Sequence, residues 1–130
     1  MAVVIGVGFR AATTERVLRA ALDDALDRCG ESWPAVTAVA TTARRAGHPA
    51  LDGLTVPVEF HDPAALAAVQ IPNPSGVVAA LAATASVAEA AARLSSDHGD
   101  LVLAKRCEDG VCTAVARLGT ALRGGSEVSR

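Results

Sequence analysis

The stretch Met1-Ala-Val-Val-Ile-Gly-Val-Gly-Phe-Arg10 constrains the fold more than any other. Val3, Val4, Ile5 and Val7 form a β-branched apolar run with almost no polar alternation. That is the pattern of a strand buried on both faces, as in a parallel sheet. Gly6 and Gly8 let the backbone approach a neighbour closely or turn sharply. Arg10 follows, and Thr13 or Thr14 can cap a helix that has Glu15 in its first turn. Strand, glycine turn, cation and helix N-terminus together offer backbone N–H groups and a positive dipole end to an anion. A third glycine and a Lys-Ser/Thr pair are both missing, so the turn is neither a dinucleotide fingerprint nor a P-loop.

Downstream, residues 14–29 read as an amphipathic helix. Val17, Leu18, Ala21, Leu22, Ala25, Leu26 and Cys29 recur at helical spacing, and Gly30 supplies the stop. Val36 to Thr42 is a second apolar strand, which makes a right-handed βαβ unit with a parallel pair. Residues 43–53 read as a loop with a short helical turn. Thr55 to Phe60 is a third strand, pushed to an edge by Pro57. Asp62-Pro63 opens a helix to about Val69. Ser75 caps a helix to about Ala82, and Ser86-Val-Ala-Glu89 has capping-box spacing for another to about Leu94. Leu101 to Lys105 and Val111 to Leu118 are strands joined at Asp109-Gly110, a strong hairpin signal. The expected fold is a three-layer α/β/α domain. Its mixed, mostly parallel sheet has about five strands and ends in an antiparallel hairpin. Residues 1–118 form one domain and 119–130 a flexible tail.

Composition excludes several roles. Of 130 residues, 51% are hydrophobic but only 2% aromatic, so elements should pack closely on Ala, Val and Leu. The net charge is −2, from 12 Lys+Arg and 14 Asp+Glu. With no basic excess and almost no stacking surface, nucleic acid is not an expected partner. No apolar run approaches the roughly 20 residues of a membrane span, and the N-terminus lacks a basic leader, so the cytoplasm is the expected compartment. Cys29, Cys107 and Cys112 give no disulfide framework. Cys107 and Cys112 face each other across the predicted hairpin at bonding distance, but free thiols are expected in a reducing cytoplasm. His48, His61 and His98 have no metal-ligand spacing, so neither a metal nor a cofactor is expected.

In open α/β sheets, ligands bind beyond the carboxyl ends of the parallel strands. The first such end offers Gly8, Phe9 and Arg10, with Gly6 just before them as a further binding candidate; the second offers Thr41, Thr42, Arg44 and Arg45, with His48 beyond. Guanidinium groups bind carboxylates as two-pronged partners, so this edge suits a polycarboxylate or phosphate ligand. Ser75, Ser86 and Lys105 are further candidates, provided their elements reach the same edge. No serine, cysteine or carboxylate constellation specifies a catalytic mechanism.

Five short stretches in order resemble a known family: Val4-Ile-Gly-Val-Gly-Phe-Arg10, Val39-Ala-Thr-Thr42 through Arg45 and Pro49, Pro74-Ser75, Thr84 to Ala91, and Leu101 to Lys105 with Gly110 to Ala116. The family is the small cobalamin-biosynthesis domain found alone as CobE and as the C-terminal domain of CbiG. The resemblance implies a three-layer α/β/α fold and a role in making the corrin ring of vitamin B12. It implies ligand residues at Gly8, Arg10, Thr41, Arg45, Ser75, Ser86, Glu89 and Lys105. The chain looks like the stand-alone form, for which a carrier or accessory role toward a corrin or precorrin intermediate is expected. The alternative is a precorrin hydrolase that opens the ring-A lactone, with Glu89 or His48 as general base. Other pathway enzymes and a second copy of the chain are conceivable partners. The sequence departs from the family at Phe9, where cysteine is common, at Arg45, where lysine is common, and at Gly47 and His48, where acids are common. Losing that thiol and those acids weakens the hydrolytic reading.

Overall fold

A computed structural model describes residues 2–68 and 79–118, the side chains of 67–68 and 79–86 excepted. The first strand, β1 (Val3–Phe9), is buried along its whole length. Helix α1 (Glu15–Cys29) starts at Thr14, whose hydroxyl accepts the Val17 N–H, and stops at Gly30 in the left-handed conformation. Strand β2 (Val36–Thr42) follows a single 3₁₀ turn. Two more 3₁₀ turns, Ala43–Arg45 and Pro49–Leu51, lead to β3 (Val58–His61) and α2 (Pro63–Ala68). Helix α3 (Ala79–Ser95) precedes β4 (Leu101–Glu108) and β5 (Val111–Arg117).

The five strands form one sheet in the order β3-β2-β1-β5-β4. β1 pairs parallel with β2, and β2 with β3. β5 is antiparallel to both β1 and β4. Four strands therefore share a direction and β5 alone opposes them. Alternate β1 residues serve two layers. Val3, Ile5, Val7 and Phe9 pack with Leu18, Leu22, Ala25 and Leu26 of α1. On the other face Val4 and Ala40 pack with Leu66 of α2 and with Ala90 and Ala91 of α3. Burial on both faces explains why β1 lacks polar alternation.

Three expectations change. The third strand begins at Val58, not Thr55: Pro57 cannot donate, and only its carbonyl joins the sheet edge, accepting the Val39 N–H. Ser86 does not open a helix, because one continuous helix runs from Ala79 to Ser95. That stretch is alanine-rich and free of Gly and Pro, so nothing interrupts it. Cys107 and Cys112 are not free thiols. They stand directly opposite in the β4–β5 pair, with Cα atoms 4.0 Å apart, and form a disulfide. The hairpin turn is as the sequence indicates, with positive φ at both Asp109 and Gly110. The proposed start of a helix at Ser75 and the tail at 119–130 lie outside the described residues. Among the described residues, no helix is long and apolar enough to cross a membrane.

Candidate functional site

The shared direction of β1–β4 brings the ends of all four to one edge of the sheet. Because β5 runs against them, its start and the Asp109-Gly110 turn join that edge. Phe9, the last residue of β1, pairs with Val111, the first of β5. Arg10 extends past this pair, and a β-carbon on Gly110 would meet Arg10 Cδ at 3.6 Å. Its guanidinium is exposed and has no partner among the described residues. Arg44 is likewise exposed and unpaired among them. Two acids, Glu108 and Asp109, share the hairpin end and are exposed.

The remaining basic residues of the loop are engaged with the chain itself. Arg45 Nε donates to the Phe9 carbonyl at 2.9 Å, and its guanidinium carbon lies 5.6 Å from the centre of the Phe9 ring. His48 stands edge-on to the same ring, centroids 5.0 Å apart. Its Nδ1 accepts the Ala50 N–H at 3.0 Å, which leaves Nε2 to carry the proton donated to the Ala11 carbonyl at 2.7 Å. Neither imidazole nitrogen is open to take a proton from a ligand in this arrangement.

The two threonines at the end of β2 differ. Thr41 is fully buried and its hydroxyl donates to the Val7 carbonyl at 2.7 Å, so it ties β2 to β1 and does not face the edge. Thr42 accepts the Arg44 N–H at 3.3 Å and caps the following turn. The glycines differ as well. The close approach that Gly6 permits is to α3: a β-carbon there would stand 1.9 Å from the Ala88 carbonyl oxygen. Gly8 lies inside β1, opposite Cys112, so the expected glycine turn is absent: β1 runs through both glycines to Phe9, because their backbone groups pair in the sheet.

Glu89 is buried on α3, and its Oε2 accepts the backbone N–H of Lys105 at 3.2 Å. This bond falls in a stretch where the β4–β5 register shifts, between Leu103 and Arg106. The carboxylate thus satisfies a strand amide at an irregularity. That role occupies one face of the general-base candidate. The Lys105 amine has no partner among the described residues. Ser86 lies within α3, and its side chain and Ser75 are outside the described set.

Sequence reasoning named Phe9 at the strand end but not its part as the platform under Arg45 and His48, and it missed one contributor. The hairpin turn reaches the site because β5 lies beside β1, which no local pattern encodes. Cys29 ends the α1 stripe, where burial pushes its thiol up from the ordinary value, so it is no activated nucleophile. Among the described residues, no group of three or more His, Cys, Asp and Glu could hold a metal ion.

Comparison with known proteins adds the family. The family described as "Cobalamin synthesis G C-terminus" matches residues 3–116. The crystal structure of CobE, a protein from the cobalamin (vitamin B12) biosynthetic pathway, is 34% identical; the match covers 92% of each chain with a TM-score of 0.77. A putative cobalamin biosynthesis protein G homolog from Sulfolobus solfataricus shares the fold at 17% identity, over 92% of this chain and 37% of that one, with a TM-score of 0.72. Cobalamin biosynthesis protein chiG from Agrobacterium tumefaciens shares it at 24% identity, over 91% and 99%, with a TM-score of 0.64. No curated protein sequence gives a significant match. A family match spanning nearly all of the folded chain, with a 34% identical solved relative, makes this a cobalamin-biosynthesis protein of the CobE and CbiG C-terminal domain family.

Proposed function

We propose that the protein binds a polycarboxylate corrin or precorrin intermediate at the edge formed by the ends of β1 and β2, as a carrier or accessory factor. The observation that carries this reading is the pair of exposed guanidinium groups of Arg10 and Arg44, without partners among the described residues, on adjoining strand ends. Corrin precursors are flat and edged with carboxylates, which such groups bind as charge-assisted forks. Lys105, on the strand beyond β5, is a further cation for the same ligand. The alternative, hydrolysis of a precorrin lactone, needs a free general base. Its two candidates are committed elsewhere: His48 through both ring nitrogens, and Glu89 to the Lys105 amide. That favours binding over turnover.

The test is titration with a corrin acid such as hydrogenobyrinic acid, followed by the ligand's own absorbance. Trp33 precedes β2, whose seven residues put about 20 Å of strand between it and the edge, so its fluorescence is a poor reporter. Binding should saturate, weaken with salt, and fall about 10-fold in Arg10→Ala or Arg44→Ala, as for loss of one charge-assisted hydrogen bond. Unchanged affinity in both variants would remove the ligand from this edge. A change in ligand mass over many turnovers would replace the carrier reading with the enzyme one.

A further inference from the structure

Three consecutive carbonyls at the end of β1 and just beyond it are each claimed by a different donor. Phe9 O accepts from Arg45 Nε at 2.9 Å, Arg10 O from the Thr13 N–H at 3.0 Å, and Ala11 O from His48 Nε2 at 2.7 Å. The middle bond is local to the turn. The outer two come from the 43–50 loop and bracket Arg10 on both sides. The Phe9 ring lies against both donors, 5.6 Å from the Arg45 guanidinium and 5.0 Å from the imidazole. His48 is itself fixed by the Ala50 N–H. A loop pinned at the residues before and after Arg10 has little freedom at Arg10.

We infer that Arg45 and His48 are positioning residues: they clamp the β1–α1 loop and so fix where Arg10 presents its guanidinium. This rests on the reading that Arg10 receives the ligand. It assigns His48 a role as a neutral hydrogen-bond donor, not a base. It also separates the loop's arginines by task, with Arg10 and Arg44 facing outward and Arg45 turned onto Phe9. Pre-ordering the backbone that carries Arg10 lowers an entropy cost that binding would otherwise carry.

Two substitutions separate the two bonds of the imidazole. Asn at 48 can keep the acceptor for the Ala50 N–H but cannot reach Ala11. Gln can reach Ala11 as a donor. Amide hydrogen exchange of residues 10–13 in the ligand-free protein should speed up about 5-fold in His48→Asn, as for one lost hydrogen bond, and stay near wild type in His48→Gln. Corrin-acid affinity should follow the same order. In an Arg10→Ala background, His48→Asn should cost less than 2-fold more, because the effect passes through Arg10. Unchanged loop exchange in His48→Asn overturns the clamp. Faster exchange with fully additive losses in the double variant overturns the route through Arg10. If the wild-type protein binds no corrin acid, the ligand assignment fails, and the clamp is decided by the exchange rates alone.

Discussion

Replacing Gly6 by alanine tests how closely α3 lies on the sheet. The new methyl would stand 1.9 Å from the Ala88 carbonyl oxygen, 2.6 Å from the Ala92 nitrogen and 2.8 Å from the Ala92 β-carbon. The first two are helix backbone, so no rotamer change relieves them. Ordinary contact begins near 3.5 Å, so α3 must retreat by about 1.5 Å, enough to forfeit much of the dispersion along its contact with β1. Overpacking of a core costs about 1–3 kcal/mol. The same shift would stretch the 3.2 Å Glu89–Lys105 bond, a charged hydrogen bond worth about 1.5–3 kcal/mol. Alanine restrains the unfolded chain and returns about 0.5 kcal/mol. The net loss is about 3 kcal/mol, or roughly 12 °C in melting temperature for a domain of this size. Thermal unfolding followed by circular dichroism measures it. Gly53→Ala is the control: its methyl would meet the end of the Glu15 side chain, which can swing away, so its midpoint should hardly move. A Gly6→Ala midpoint within about 2 °C of wild type would refute the close approach, since a helix resting on backbone must register a clash of this size. Adding Ala92→Gly should not rescue the variant, because the Ala88 carbonyl remains in the way.

Two further perturbations are simple to read. Thr41→Val keeps the shape and removes the hydroxyl that donates to Val7 O, so stability should fall by about 1 kcal/mol; an unchanged urea midpoint would mean the bond contributes nothing net. The Cys107–Cys112 disulfide closes a loop of sequence separation 5, for which chain entropy gives about 2 kcal/mol. Dithiothreitol should therefore lower the melting midpoint of the wild type but not of Cys107→Ser; a wild-type protein indifferent to reductant would show that the bond contributes no stability.

The central βαβ unit was legible because each piece has a strong local signal. β1 and β2 are continuous apolar runs, and α1 carries an apolar stripe, a threonine cap and a glycine stop. The hairpin was legible from Asp109-Gly110. Long-range placement was not. Gly6 announced a close approach but not that the neighbour was a helix. Thr41 stood at a strand end, yet its face turned the hydroxyl inward to Val7. Ser86 and Glu89 have capping-box spacing by coincidence inside an alanine-rich helix, and Glu89 instead serves a strand amide that only the fold brings near. Arg10 and Arg44 were rightly placed at strand ends; that Phe9 would gather Arg45 and His48 beneath the loop depended on packing across 36 and more residues.

The strand order has a consequence for how the chain assembles. β1 precedes the other described strands and is the middle of the sheet, yet one of its two neighbours is β5, the last of the described strands; Val3 pairs with Arg117, and the Leu118 N–H closes onto the Ala2 carbonyl. During synthesis the βαβ half can form early, but one flank of its central strand stays open until residues 111–117 emerge. An unpaired, fully apolar strand is an aggregation hazard for that interval. The rate of folding is then governed by a ring closure spanning almost the whole domain. Joining Leu118 to Ala2, which lie side by side, and opening the chain in the 43–53 loop would deliver β5 before β2, letting the innermost pair form from neighbouring segments.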